Sequence, residues 1–226
     1  MAFDALIFDF DGVLLESEFE GNHLLAELLT RLGHPTTVAE AIEHFTGLSG
    51  SDFIDTVESR IGRPLPPEFH EATRAERDRT LEEGIAAVEG AVEFVRSLPA
   101  TLPKAVASSS STRWVRTHLS HLGLEGAFEP HVYSGREHVA RGKPAPDLYL
   151  HAARELGVEI KRTAIIEDSK VGATGALASG ATVIGLAAGR HCFDGHADML
   201  RAVGVDTVAH SFDEVARLVG VDQLSR

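Results

Sequence analysis

Ala5-Leu6-Ile7-Phe8-Asp9-Phe10-Asp11-Gly12-Val13-Leu14-Leu15-Glu16-Ser17 is the stretch of this 226-residue chain that decides its fold class. A four-residue apolar run, Ala5 to Phe8, ends in two aspartates one residue apart, and Gly12 follows at once. A short apolar run bounded by a turn residue reads as a buried strand of a parallel sheet, and in open α/β sheets ligands bind beyond the carboxyl ends of the strands. Asp9 and Asp11 are therefore expected at a mouth rather than in a core. Residues two apart on an extended segment share a face, and a turn at Gly12 would splay them and free a backbone carbonyl. Two crowded carboxylates repel unless a cation lies between them, and hard oxygen donors suit Mg²⁺. One carboxylate could then attack while the other handles protons. The same Asp-Phe-Asp-Gly also reads as a plain strand-ending turn, since Asp and Gly dominate turns.

Outward from this stretch the pattern becomes helical. A long apolar periodicity through Leu24, Leu25, Leu28, Leu29 and Leu32 stops at Gly33-His34-Pro35, and further helices are predicted over 38–45, 51–61 and 67–83. No convincing strand is read between about 17 and 88. From Glu89 onward short strands alternate with helices: strands at 104–107, near 131–133, at 163–166, 182–186 and 207–209, separated by helices at 90–98, 113–122, 147–156 and 171–179. That alternation predicts an α/β fold, a Rossmann-like parallel-sheet core of 1–15 and 89–226 with a small all-helical cap, 16–88, inserted after the first strand.

Composition narrows the function classes. With 21 basic and 34 acidic residues the formal charge is −13, which disfavours nucleic acid or an anionic membrane as partner. No apolar run approaches the length of a membrane span, and no signal segment precedes the first strand, so a cytoplasmic location is expected. The single cysteine, Cys192, rules out an internal disulfide and fits a reducing compartment. Lysines number four, at 104, 143, 161 and 170, and none precedes Lys104.

Three polar clusters fall where strands end or helices begin. Ser108 follows Lys104-Ala105-Val106-Ala107, and its hydroxyl with the N–H groups of Ser109 and Ser110 could hold a phosphoryl oxygen, although a serine run before a helix is more often a cap. Lys143 sits in Gly142-Lys143-Pro144-Ala145-Pro146, where the prolines stiffen the backbone beneath a compact cation suited to phosphate; a solvated loop lysine is the alternative. Glu167-Asp168 ends the apolar run Ala164-Ile165-Ile166, a position that suits either a metal ligand or surface charge. Gly189-Arg190-His191-Cys192 with His196 invites a zinc reading, but with no second cysteine a post-strand rim loop is the favoured one.

In order and spacing, Asp9-Phe10-Asp11-Gly12-Val13, Val106-Ala107-Ser108, Gly142 to Asp147 and Ile166-Glu167-Asp168-Ser169 resemble the four motifs of the haloacid dehalogenase superfamily. The helical insert is similar to the cap of the subgroup containing β-phosphoglucomutase and 6-phosphogluconate phosphatase. The resemblance implies a Mg²⁺-dependent phosphomonoesterase for a small phosphorylated metabolite, a sugar, sugar acid or polyol phosphate. Asp9 would be the nucleophile and Asp11 the acid/base, with Ser108 and Lys143 clamping the phosphoryl group. Mg²⁺ would be held by Asp9, the Asp11 carbonyl and Asp168, with Glu167 bound directly or one shell out. Glu18, Gly47, Leu48 and Ser49, with Asn22, Arg74 and Arg77, would read the leaving group, and the protein would act as a monomer or weak homodimer. Asp11 argues against dehalogenation, and the lack of a cap lysine argues against a Schiff-base hydrolase. A phosphosugar mutase is the runner-up, disfavoured because Gly21 and Gly50 stand where β-phosphoglucomutase carries its cap histidine and arginine, though His23 could substitute. A phosphoacceptor signalling domain is the rival from another class; its lack of a helical insert tells against it.

Overall fold

The computed structural model describes residues 3–46, 48 and 50–221. Among them six strands form one parallel sheet: β1 Ala5–Phe8, β2 Lys104–Ser108, β3 Val132–Ser134, β4 Thr163–Glu167, β5 Thr182–Leu186 and β6 Thr207–Ala209, in the order β3-β2-β1-β4-β5-β6. The helices are α1 Ser17–Arg31, α2 Val38–Phe45, α3 Gly50–Ile61, α4 Pro67–Glu83, α5 Ala91–Ser97, α6 Thr112–His121, α7 Glu125–Phe128, α8 Asp147–Glu155, α9 Lys170–Ser179, α10 His196–Ala202 and α11 Phe212–Val219. The expected elements are all present. β2 and β4 run one residue further than expected, into Ser108 and Glu167, and the short α7 and α10 had no clear apolar period in the sequence.

All four residues of β1 are buried because the strand is covered on both faces. Leu6 and Phe8 point into one core with Phe94, Val106, Phe128, Ile166 and Phe212, while Ile7 points into another with Ala105, Leu148, Tyr149 and Ile165. The two-residue period of a strand thus divides one apolar run between two layers of helices. The winding of the sheet reverses between β1 and β4, and such a reversal leaves a crevice at the carboxyl ends of the two strands. Asp9 and Asp168 follow those two ends.

The four helices α1 to α4 stand together over that edge with an apolar core of their own, including Leu25, Leu29, Phe45, Val57 and Phe69. Thr37 and Glu40 form a reciprocal capping box at the start of α2, which sets its entry. The chain enters and leaves this helical unit side by side: the Glu16 N–H donates to the Ala86 carbonyl at 2.9 Å and the Val88 N–H to the Leu14 carbonyl at 3.2 Å. Among the described residues no helix is long and apolar enough to cross a membrane.

Candidate active site

The site is anchored from the end of β1. The Asp9 N–H donates to the Ile166 carbonyl of β4 at 3.0 Å, so the aspartate continues the strand pairing. The chain then turns at Gly12, φ +83°, where a Cβ would stand 2.1 Å from Asp168 Oδ2. Only glycine combines that backbone angle with so close an approach. Lys143 reaches in from the loop before α8, and its Nζ donates to Asp9 Oδ1 and to Glu167 Oε1, both at 2.6 Å. Glu167 is fully buried, and both of its oxygens are engaged: Oε1 also accepts from the Tyr149 hydroxyl at 2.6 Å, and Oε2 accepts from the Ser169 N–H and hydroxyl at 3.0 Å. Asp168 differs. Its Oδ2 lies 2.9 Å from His191 Nε2, while its buried Oδ1 has no partner among the described residues.

Asp11 is held by four donors. Ser17 Oγ at 2.7 Å and the Trp114 indole N–H at 3.0 Å reach Oδ1; Ser108 Oγ at 3.1 Å and Ser110 Oγ at 2.7 Å reach Oδ2. Ser111 and Ser169 cap α6 and α9 by accepting the Trp114 and Gly172 N–H groups. Both helices thereby begin at the crevice, with their positive ends toward it.

Charge in this crevice is crowded. Burial and the neighbouring acids Glu167, Asp168 and Asp11 hold the Asp9 carboxyl well above the ordinary carboxylate range, against the opposing pull of Lys143. Burial alone would lower Lys143, but the carboxylates of Asp9 and Glu167 win and hold it well above the usual lysine range. His191 follows the same logic: burial opposes its charge, yet the Asp168 carboxylate and Cys192 push it up to about 11. Oxygens of Asp9, Glu167 and Asp168 lie within 4.8 Å of one another. An unpartnered buried carboxylate oxygen within an all-oxygen cluster is what a hard divalent cation satisfies, so these residues fit Mg²⁺.

The model of the haloacid dehalogenase-like hydrolase family matches residues 6–186. This chain belongs to that family. Hexitol phosphatase A of Escherichia coli is 31% identical over 221 residues, covering 92% of this chain and 91% of its own. A conserved haloacid dehalogenase-like protein of unknown function from Agrobacterium tumefaciens is similar in structure, with a TM-score of 0.88 at 35% identity over 96% of this chain and 98% of its own. A HAD family hydrolase from Deinococcus radiodurans, solved with bound phosphate and sodium, gives a TM-score of 0.83 at 33% identity over 99% and 98%.

In this haloacid dehalogenase-like hydrolase a cavity of about 340 Å³ opens above the acids, lined by Asp9, Asp11, Ser109, Ser110, Lys143 and Asp168 from below and by Glu18, Leu48 and Arg77 from the helical cap. An adjoining chamber of about 300 Å³ runs under the cap between Asn22, Phe45, Phe53 and Trp114. Of the residues expected to read the leaving group, Glu18, Leu48 and Arg77 line the cavity, Arg74 does not, and Gly47 and Ser49 lie outside the described residues. His23 stands at the cap surface beside Glu27, away from the cavity. Ser108 is fully buried, with its hydroxyl turned to Asp11. Sequence reasoning missed Trp114, Tyr149 and Arg136, the last of which lines the cavity, and singled out His191 without its contact to Asp168. Trp114 is the only tryptophan in the chain and falls in the first turn of a helix that starts at the ligand edge, a signal that could have marked it.

Proposed function

We propose that this hydrolase cleaves the phosphomonoester of a small phosphorylated polyol, sugar or sugar acid through a phosphorylated Asp9. The observation that carries the reading is the buried contact of Asp9 with Lys143 beside an Asp11 held by four hydroxyl and indole donors. Asp9 attacks phosphorus through a carboxylate oxygen; the bond from phosphorus to the leaving oxygen breaks, and Asp11 protonates the departing alkoxide. Asp11 then takes a proton from water, which attacks the same phosphorus and breaks the bond to Asp9, releasing inorganic phosphate. Lys143 neutralises the phosphoryl oxygens as charge spreads over them. Ser109 and Ser110 at the cavity wall bind those oxygens, and Ser108 positions Asp11.

Mg²⁺ would be held by Asp9, Asp168 and the Asp11 carbonyl, and when bound it would supply further neutralisation of the phosphoryl charge. Glu167 has its oxygens committed to Lys143, Tyr149 and Ser169, so its role is to hold Lys143 in place. The substrate class is supported by the names of relatives such as hexitol phosphatase A and by a cavity whose cap wall offers Glu18 and Arg77 to hydroxyl or acidic groups. The division into a core of 1–15 and 89–226 and a cap of 16–88 is supported by the adjacent crossings at Glu16 and Val88. The test is phosphate release from hexitol, sugar and sugar-acid phosphates with and without Mg²⁺. The wild type should turn over only with the ion, and Asp9→Asn should be inactive with unchanged circular dichroism. Substantial residual turnover in that variant would overturn the mechanism.

A further inference from the structure

The loop after β5 carries His191 and Cys192, and α10 opens on His196. In sequence this segment reads as a rim loop, yet both histidines are folded inward, with 0% and 2% exposure. One ring nitrogen of each histidine and Cys192 Sγ lie within 4.8 Å of one another. His196 Nε2 lies 2.8 Å from the Asp168 backbone carbonyl, which only accepts, so that nitrogen carries the hydrogen; in the neutral ring Nδ1 is then a lone pair, and it has no partner among the described residues. His191 differs: its Nε2 lies 2.9 Å from the Asp168 carboxylate and is also the nitrogen that faces Cys192, while its buried Nδ1 has no partner among the described residues. Imidazoles that ligate metals characteristically hand their other nitrogen to a carboxylate or carbonyl, and for His196 the Asp168 carbonyl provides it.

Distance and donor type agree. Cys192 Sγ is 3.8 Å from His191 Nε2. Two ligands of a tetrahedral zinc ion, one sulfur and one nitrogen, stand about 3.6 Å apart. A donor set of two imidazoles and a thiolate favours a borderline-soft ion over Mg²⁺, which takes oxygen. Cys192 is partly exposed and offers an entry path.

We propose that His191, Cys192 and His196 form a binding site for a zinc-class divalent ion, adjoining the oxygen cluster around Asp9 and distinct from it in ligands, with a water as fourth donor. Binding releases the thiol proton, and any second ring proton, to solvent.

The test is metal content and affinity of the whole chain, with excess Mg²⁺ present to occupy the oxygen cluster, using Zn²⁺ and then Co²⁺ as probes. The wild type should retain about one zinc per chain, and Cys192→Ser and His196→Gln should each weaken binding by about 10- to 100-fold. Co²⁺ should give a thiolate charge-transfer band that Cys192→Ser abolishes, and bound Zn²⁺ should slow alkylation of Cys192. Circular dichroism of both variants separates lost ligation from lost folding; because Cys192→Ser is nearly isosteric, it carries the decision if His196→Gln misfolds. Uptake that survives Cys192→Ser but is lost in Asp9→Asn would assign the ion to the oxygen cluster and overturn the proposal, as would an alkylation rate indifferent to zinc. These readouts do not depend on phosphatase turnover, so the site and the proposed reaction can fail separately.

Discussion

Replacing Lys143 by methionine tests the electrostatic centre of the site most directly. The ammonium makes two 2.6 Å contacts, to Asp9 and Glu167, and the side chains involved are 4%, 9% and 0% exposed. Methionine fills much of the volume of the lysine stem, so packing is largely retained and the loss is electrostatic. Removing one partner of a buried ion pair costs about 3–5 kcal/mol because the remaining charge is left buried and unpaired. The sign with pH follows from Asp9. Its carboxyl already sits above its ordinary value through burial, and without Lys143 only the raising influences of Glu167, Asp168 and Asp11 remain. A carboxyl whose folded pKa exceeds its unfolded one is bound to a proton in the folded state across that interval. Its penalty is absent below the unfolded value and grows by about 1.4 kcal/mol per pH unit as pH rises toward the folded value. The variant should therefore be nearest to wild type in acid and furthest from it at alkaline pH. Urea unfolding of both proteins near pH 5 and pH 8, with chelator present, measures the gap at each. Saturating Mg²⁺ should then narrow the alkaline gap, since an ion that binds only the folded state stabilises it by mass action. A gap below about 1 kcal/mol, or one equal at both pH values, would refute a buried carboxylate cluster dependent on this cation.

Gly172 allows Glu167 to lie against α9, and a Cβ there would stand 1.7 Å from Glu167 Oε1, an atom pinned by Lys143 and Tyr149. Gly172→Ala should cost about 3 kcal/mol in thermal unfolding, whereas Gly126→Ala, with open space around its Cβ, should be neutral or stabilise by up to about 1 kcal/mol. Trp114→Phe removes one donor from Asp11 and should lower kcat by about 10- to 150-fold, the rate equivalent of one hydrogen bond to a charged group; steady-state kinetics with unchanged kcat would show that the indole does not position Asp11. His118 is fully buried against Trp114 with no hydrogen-bond partner among the described residues, and burial lowers its pKa to about 4. The unfolded chain then binds the extra proton first, so stability is intact above about pH 6.5 and is lost progressively as pH falls toward 4, by roughly 3 kcal/mol in all. His118→Phe should flatten that part of the pH profile of the unfolding midpoint.

The sequence alone was enough to place β1, the alternating second half and the helical insert. Strands buried on both faces must be continuous apolar runs, and glycine and proline mark where each element stops. It also pointed to Asp9, Ser108, Glu167 and Asp168 at strand ends, to Asp11 just beyond β1 and to Lys143 in the loop before α8. What each side chain does there was not legible. Glu167 and Asp168 are neighbours in sequence, yet one is consumed by Lys143, Tyr149 and Ser169 while the other keeps a buried oxygen with no partner among the described residues. The division follows from strand geometry, which turns adjacent side chains to opposite faces and gives them different neighbours. Trp114 reaches Asp11 across 103 residues and His191 reaches Asp168 across 23, contacts set by strand order and helix placement. Local periodicity encodes which face of an element is buried. Only the assembled sheet, with its reversal between β1 and β4, decides which distant groups share a site and which of them remain free to bind.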